Sequence, residues 1–249
     1  MLKAFFTENP RAAIAFSGGT DSAFLLSQAA RYARDCTAYF VKSEFQPAFE
    51  REDAERLAAE LGVRLRVLER SMTEAPEVLA NPADRCYLCK QRVFSAIWAA
   101  AREDGYELLL DGSNLDDDPA QRPGMRALRE LQVRSPLREV GLTKVEVRRL
   151  SREAGLFTWD KPSYSCLATR VPTGTTITPV MLSAIERGEG RLMELGFSGF
   201  RLRWRERGAK LEVPAAQLPL VLEKREEILN GLSQDFGEIC LDLRPRENH

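Results

Sequence analysis

Ala12-Ala13-Ile14-Ala15-Phe16-Ser17-Gly18-Gly19-Thr20-Asp21-Ser22 is the stretch on which the fold turns. A short apolar run ends in two glycines and opens an amphipathic segment that continues from Ala23 to Tyr32. Strand, glycine turn and helix in this order present backbone N–H groups at the positive end of a helix dipole, which suits a phosphate. Gly18 and Gly19 let the main chain approach an anion closely. The hydroxyls of Ser17, Thr20 and Ser22 add hydrogen bonds, and the Asp21 carboxylate suits Mg²⁺ held against phosphate oxygens. No Lys follows the glycines, so the run is not a Walker-type loop. The plain alternative is a Ser/Gly turn between strand and helix.

Outward from this run, strand-like and helix-like segments alternate. Ala12–Phe16, Cys36–Val41, Val63–Leu68 and Glu107–Leu110 read as strands. Asp21–Arg34, Ala48–Leu61, Gln91–Arg102 and Thr143–Ala154 read as helices. This rhythm predicts an α/β domain over residues 1–158, a parallel sheet covered on both faces with its ligand crevice at the carboxyl ends of the strands, where Ser17, Ser43 and Gly112 fall. Beyond Trp159-Asp160-Lys161-Pro162 the pattern changes to one helix (Pro179–Leu195), two strands (Phe200–Trp204, Lys210–Val213), a helix (Leu218–Leu232) and a last strand (Glu238–Leu243). Residues 159–249 are therefore expected to form a smaller α+β domain.

With 36 Lys and Arg against 37 Asp and Glu in 249 residues, the chain has no global field to attract nucleic acid or an anionic membrane. No apolar run reaches spanning length and Met1-Leu2-Lys3-Ala4-Phe5-Phe6 is no signal-peptide core, so a cytoplasmic protein is expected. Five cysteines suit a reducing compartment rather than a disulfide framework. The single histidine is His249, which argues against Ser-His-Asp catalysis and His-rich metal sites.

Cys86-Tyr87-Leu88-Cys89 stands at a predicted helix entry, where thiol pKa is depressed. Cys166 lies in Lys161–Thr175, a stretch of turn formers expected to be an exposed loop. Three thiolates fit a [4Fe–4S] cluster with one iron open to another ligand, and also fit a structural zinc completed by a carboxylate. Cys36 and Cys240, inside apolar strands, are expected to pack in the core. On the strand Phe200-Arg201-Leu202-Arg203-Trp204-Arg205 the three arginines share one face, a local anion site or a solvated face, with Leu202 and Trp204 turned to the core. Asp116-Asp117-Asp118 reads as a solvated turn.

The Ser17–Ser22 run resembles the PP-loop of ATP pyrophosphatases. Together with Leu110-Asp111-Gly112-Ser113-Asn114, Arg122-Pro123-Gly124, Ser135-Pro136-Leu137 and Lys161–Thr175, in this order, the chain resembles the LarE family over nearly its whole length. These are ATP-dependent sulfur transferases that build the nickel-pincer nucleotide cofactor of lactate racemase. The resemblance implies an adenine nucleotide alpha hydrolase-like PP-loop domain, with ATP and Mg²⁺ over Ser17, Gly18, Gly19, Thr20, Asp21 and Ser22 and the adenine near Ser43 and Gly112. It implies adenylation of a carboxylate on a pyridinium mononucleotide, release of pyrophosphate, and replacement of the activated oxygen by sulfur. One branch of the family sacrifices a loop cysteine, which Cys166 resembles. The other binds a [4Fe–4S] cluster through three cysteines, and Cys86 and Cys89 place this chain with it, sulfide or another sulfur donor being the partner. Arg170, Glu189, Arg201, Arg203 and Asp242 resemble the substrate and phosphate region. Thr169 and Thr173 depart from the family's more usual Ser and Tyr, which bears on fine substrate contacts. A homo-oligomer is expected, with no membrane and no nucleic-acid partner. The rival readings are a PP-loop tRNA thiolase, which would need a basic RNA surface, and a nucleotide-binding module with a structural zinc.

Overall fold

The computed structural model describes residues 1–118 and 123–246. Arg122 and His249 lie outside the described residues. The chain forms two compact units, one of Met1–Ser71 with Asp84–Lys161, the other of Met72–Ala83 with Pro162–His249.

The first unit is built on four parallel strands, β1 (Arg11–Ala15), β2 (Asp35–Lys42), β3 (Arg64–Glu69) and β4 (Leu109–Leu110), in the order β3-β2-β1-β4. Helices Thr20–Tyr32 and Ala48–Glu60 return the chain from β1 to β2 and from β2 to β3, and helix Arg85–Glu103 precedes β4. Such crossovers keep neighbouring strands parallel. Successive side chains of a strand alternate between faces. Ala12, Ile14 and Phe16 accordingly pack with Phe24, Leu25, Leu57 and Val147 in one core. Ala13 and Ala15 pack with Phe94, Ile97, Ala101 and Leu128 in the other. The parallel sheet covered on both faces is thus the observed architecture. Helix Lys144–Glu153 begins with a reciprocal capping box in which Thr143 and Glu146 each satisfy the other's amide.

Short helices at Leu2–Glu8, Gly124–Glu130 and Pro136–Glu139 were not expected from periodicity. They are too brief to show it, and two lean on a proline or glycine that also reads as a turn. Among the described residues, no helix is long and apolar enough to cross a membrane.

In the second unit β5 (Arg201–Arg205) pairs antiparallel with β6 (Gly208–Glu212), and β6 pairs parallel with β7 (Glu238–Leu241). Helix Pro179–Glu194 packs on β5. The segment Met72–Ala83 belongs here because Asn81, fully buried at φ +55°, donates from Nδ2 to the carbonyls of Pro172 and Thr175. The Asn81 carbonyl in turn accepts from the Gly174 amide.

Three expectations need correction in this unit. The Leu218–Leu232 helix is two, Leu218–Glu223 and Arg225–Leu232, because Lys224 leaves helical geometry at φ −94°, ψ 17°. Cys240 is exposed, since β7 is an edge strand and its alternation turns Cys240 outward with Glu238. Lys161–Thr175 is not an exposed loop throughout: Leu167, Ala168, Arg170 and Val171 are buried, drawn in by two apolar side chains and by the ion pair of Arg170.

At the end of β4 the backbone of Gly112 lies on the first turn of helix Thr20–Tyr32. A Cβ on Gly112 would stand 2.7 Å from the Ser22 nitrogen and 3.0 Å from the Asp21 carbonyl carbon. Neither is a side chain that can swing aside. Gly112→Ala is therefore expected to destabilise the protein by about 2 kcal/mol, within the usual range for overpacking. An unchanged denaturant midpoint would show that the strand end has room to spare.

Candidate functional site

The turn between β1 and helix Thr20–Tyr32 is held from within. Gly18 takes φ +73°, and a Cβ there would meet the Glu50 carbonyl oxygen at 2.9 Å. The Ser17 and Ser22 hydroxyls share a 3.0 Å hydrogen bond, the Ser17 amide donates to Ser22 Oγ at 3.3 Å, and Ser22 Oγ lies 3.1 Å from the Gly19 carbonyl. Gly19 is the N-cap, with no side chain to occupy the first-turn amides, which have no carbonyl one turn back. Its own amide makes only a long 3.4 Å contact with Ser17 Oγ. The serines thus shape the turn rather than fill it, and the N–H groups stay available to an anion.

Asp21 follows at once. Burial pushes its carboxyl above the ordinary value, against a hydrogen bond with Asn114 that favours the charged form. Its Oδ1 is buried with no hydrogen-bond partner. A buried carboxylate oxygen without a partner is costly unless a cation or donor completes it, so the donor set fits Mg²⁺ at Asp21. Asn114 is buried and oriented by the acidic turn beside it, its amide donating to Asp117 Oδ2 at 3.0 Å and its Oδ1 accepting from the Asp116 amide. Asp117 is buried as well, so only Asp116 and Asp118 of that turn are solvated as expected. Ser43 is also buried, its hydroxyl donating to Gln46 Oε1 at 2.6 Å. Gly112 serves by its close approach to the helix.

A distant segment clasps the same turn. Thr20 Oγ1 donates to the Thr158 carbonyl at 2.8 Å. Lys161 Nζ donates to the Gly18 carbonyl at 3.2 Å and to Asp53 Oδ2 at 2.6 Å. Arg148 fixes the segment by donating to the carbonyls of Trp159 and Lys161 at 3.0 and 2.7 Å. These contacts went unread in the sequence, because a lysine so far along the chain carries no local sign of its destination.

The second unit holds the arginine group. Arg170 and Glu189 form a bidentate pair, both bonds 2.9 Å, with side chains 0% and 2% exposed. Burial works against the Arg170 charge, but the hydrogen bonds and charge of Glu189 outweigh it and raise its pKa. Glu189 also accepts from the Tyr164 hydroxyl and the Leu202 amide, which locks its carboxylate to β5. Arg201 is 4% exposed and donates only to the carbonyls of Phe200 and Ser163. It has no ion pair among the described residues, and burial, then repulsion from Arg170 and Arg246, pushes its pKa down to about 10. Arg203 pairs with Glu212 at 2.9 Å and donates to the Thr169 carbonyl at 2.7 Å. Arg205 is exposed and Trp204 half-buried against Phe236, so the three arginines share a face without sharing an environment. Asp242 accepts from Lys210 Nζ at 2.6 Å, which with the Arg244 amide lowers its pKa. Arg246, absent from the sequence reading, joins this group: its pKa falls through burial and then through repulsion from Arg203, and its amide donates to the Val213 carbonyl.

Cys86 and Cys89 lie in the first turns of helix Arg85–Glu103, Cys86 exposed and Cys89 half-buried, with Arg85 Nη2 3.7 Å from Cys86 Sγ. In the second unit Cys166 caps the turn Leu167–Arg170, and its carbonyl accepts from Thr169 and Arg170. Cys36 packs at the edge of the first unit's core and is raised to about 11, first by burial and then by Asp35. No disulfide joins any of the five. Among the described residues, no group of three or more His, Cys, Asp or Glu side chains is gathered for a metal ion.

No protein-family model matches the chain. It is 36% identical over 248 residues to an uncharacterized protein of Synechocystis, covering 97% of this chain and 92% of that one. It is 32% identical over 245 residues to the pyridinium-3,5-bisthiocarboxylic acid mononucleotide synthase of Lactiplantibacillus plantarum, covering 97% and 89%. An uncharacterized protein of Methanocaldococcus jannaschii is 27% identical, with 95% and 90% covered.

The Arg170–Glu189 pair is the firmest electrostatic tie of the second unit. Glu189→Gln leaves a buried guanidinium without its counter-charge and is expected to cost about 3–5 kcal/mol in urea unfolding. A cost below about 1 kcal/mol would show that water reaches the pair after all.

Proposed function

Because the chain belongs to the LarE family, we propose that it is a sulfur-inserting synthase acting on a pyridinium carboxylate mononucleotide in nickel-pincer nucleotide biosynthesis, with adenylation by ATP as the activating step. A carboxylate oxygen is a poor leaving group. Attack by that oxygen on the α-phosphorus expels pyrophosphate and forms an acyl adenylate, and AMP then departs with the oxygen as sulfur takes its place. In this scheme the amides following Gly18 and Gly19 receive phosphate oxygens, where they stabilise charge developing on the pyrophosphate, while the Ser17, Thr20 and Ser22 hydroxyls hold the turn. Asp21 would hold Mg²⁺, which supplies further charge neutralisation there. The observation that carries the reading is the buried, unpartnered Asp21 Oδ1 two residues past Gly19.

In the second unit, Arg201 is the chemical complement for the substrate's phosphate, a buried guanidinium with no carboxylate paired to it among the described residues. Arg203 and Arg246 add positive charge beside it, while Arg170 is committed to Glu189. Cys166, next to this group in sequence, is the proposed sulfur-handling residue. Cys86, Cys89 and Cys166, three thiols outside any disulfide, are the residues that would hold a [4Fe–4S] cluster, which when bound would supply the sulfide. A sacrificial role for Cys166 alone is the second reading.

Asp21→Asn is expected to leave folding intact and to cut Mg²⁺-dependent pyrophosphate release at least tenfold, since a neutral amide is a poor ligand for a hard cation. Release at the wild-type rate would remove Asp21 from the mechanism. Iron and acid-labile sulfide in anaerobically purified protein separate the two sulfur readings. Loss of both on changing any of Cys86, Cys89 or Cys166 to Ala supports the cluster. Full activity of the Cys86 and Cys89 variants, with Cys166 found as dehydroalanine after turnover, supports the sacrificial route.

A further inference from the structure

The Gly18–Gly19 peptide lies between two glycines at the start of helix Thr20–Tyr32. A peptide flanked by two glycines rotates with little steric resistance, because neither side carries a Cβ to bias it. In a trans peptide the carbonyl and the following N–H point in opposite directions, and no cis bond is present among the described residues. The orientation of the Gly18 carbonyl therefore decides whether the Gly19 amide or a carbonyl oxygen faces a bound phosphate. One choice attracts an anion and the other repels it.

Lys161 makes that choice. Its ammonium donates to the Gly18 carbonyl at 3.2 Å and is itself anchored by Asp53 at 2.6 Å. The side chain is 17% exposed and passes over the Phe49 ring, its Nζ 5.3 Å from the ring centroid. The backbone behind it is held by Arg148 through the Lys161 carbonyl. Every part of the lysine is thus fixed before it reaches the turn. The Gly19 amide, on the opposite side of that peptide, is left with only the long contact to Ser17 Oγ, which a phosphate oxygen would readily replace.

We propose that Lys161 is a positioning residue for nucleotide binding, which pins the Gly18–Gly19 peptide with its carbonyl outward so that the Gly19 N–H is presented to phosphate. It takes on the task from outside the turn, holding the loop rather than the ligand, and differs in this from a lysine that binds phosphate directly. The inference rests on the reading that this turn receives the phosphates of ATP.

The test is calorimetric binding of a non-hydrolysable ATP analogue and of inorganic pyrophosphate to the full chain with Mg²⁺. Lys161→Met, close in length but unable to donate, is expected to weaken both about tenfold. Lys161→Arg, which keeps a donor at the carbonyl, is expected to stay within about threefold of wild type. In turnover the Met variant should raise the KM for ATP more than it lowers kcat, and a crystal of it should show the peptide turned over. Wild-type affinity in Lys161→Met overturns the proposal, as does a loss that Arg fails to restore. Should the Met variant not fold, Asp53→Asn replaces it: a two- to fivefold loss of pyrophosphate affinity supports the clip, and unchanged affinity contradicts it. Failure of the wild-type protein to bind either probe refutes the ATP reading itself, an outcome distinct from both.

Discussion

The first unit depends on one contact in which backbone rests directly on backbone. Gly112, two residues past β4, meets the main chain of Asp21 and Ser22 with no space for a methyl group between them. That closeness fixes how far the sheet's central strands can stand from the start of the helix after β1. It brings Asn114 within hydrogen-bonding reach of Asp21, leaving one oxygen of that carboxylate buried and unsatisfied. The hydrogen bonds of Ser113 and Ser135 to Asp111 hold the strand end that carries Gly112. Burial of Asp111 raises its pKa despite those bonds, a cost accepted where the chain must be held still.

The second unit solves a different problem, that of gathering positive charge in a chain whose net charge is −1. Its largest fully buried side chain is an arginine, Arg170, stabilised by Glu189. With that pair in place, β5 can carry Arg201 inward, where loss of water and then repulsion from Arg170 depress its pKa. Such a guanidinium carries its charge at a cost that an anion beside it would offset. Burying a neutral residue there would remove that cost.

Much of the first unit was legible because its strands are short apolar runs and its helices long enough to repeat. Ala12–Phe16 became Arg11–Ala15, and Ala48–Leu61 became Ala48–Glu60, differences within the ordinary uncertainty of element ends. The glycine turn between β1 and helix Thr20–Tyr32 was legible for the same reason, since its residues are contiguous. The clasp on that turn was not: Thr158 and Lys161 are ordinary residues whose part is set by a return of the chain over more than a hundred positions. The arginine strand shows the limit of alternation, which assigns faces but not depth. Arg201, Arg203 and Arg205 obey the same period, yet Arg201 is buried with no acidic partner among the described residues, Arg203 pairs with Glu212 and Arg205 is exposed. Asn81 and Arg246 had no signal at all, one being a lone amide in the otherwise apolar run of residues 78–83 and the other a charge near the end of the chain.

The central claim is that a carboxylate of the substrate is activated as its adenylate before sulfur is inserted. Heavy oxygen in the carboxylates of a pyridinium dicarboxylate mononucleotide tests it directly, because the oxygen that attacks the α-phosphorus must leave on AMP. After turnover with unlabelled ATP under anaerobic conditions, mass spectrometry should find one labelled oxygen in AMP, none in pyrophosphate, and sulfur in place of that oxygen in the product. Unlabelled AMP beside a sulfur-containing product, or ADP and labelled inorganic phosphate, would contradict it.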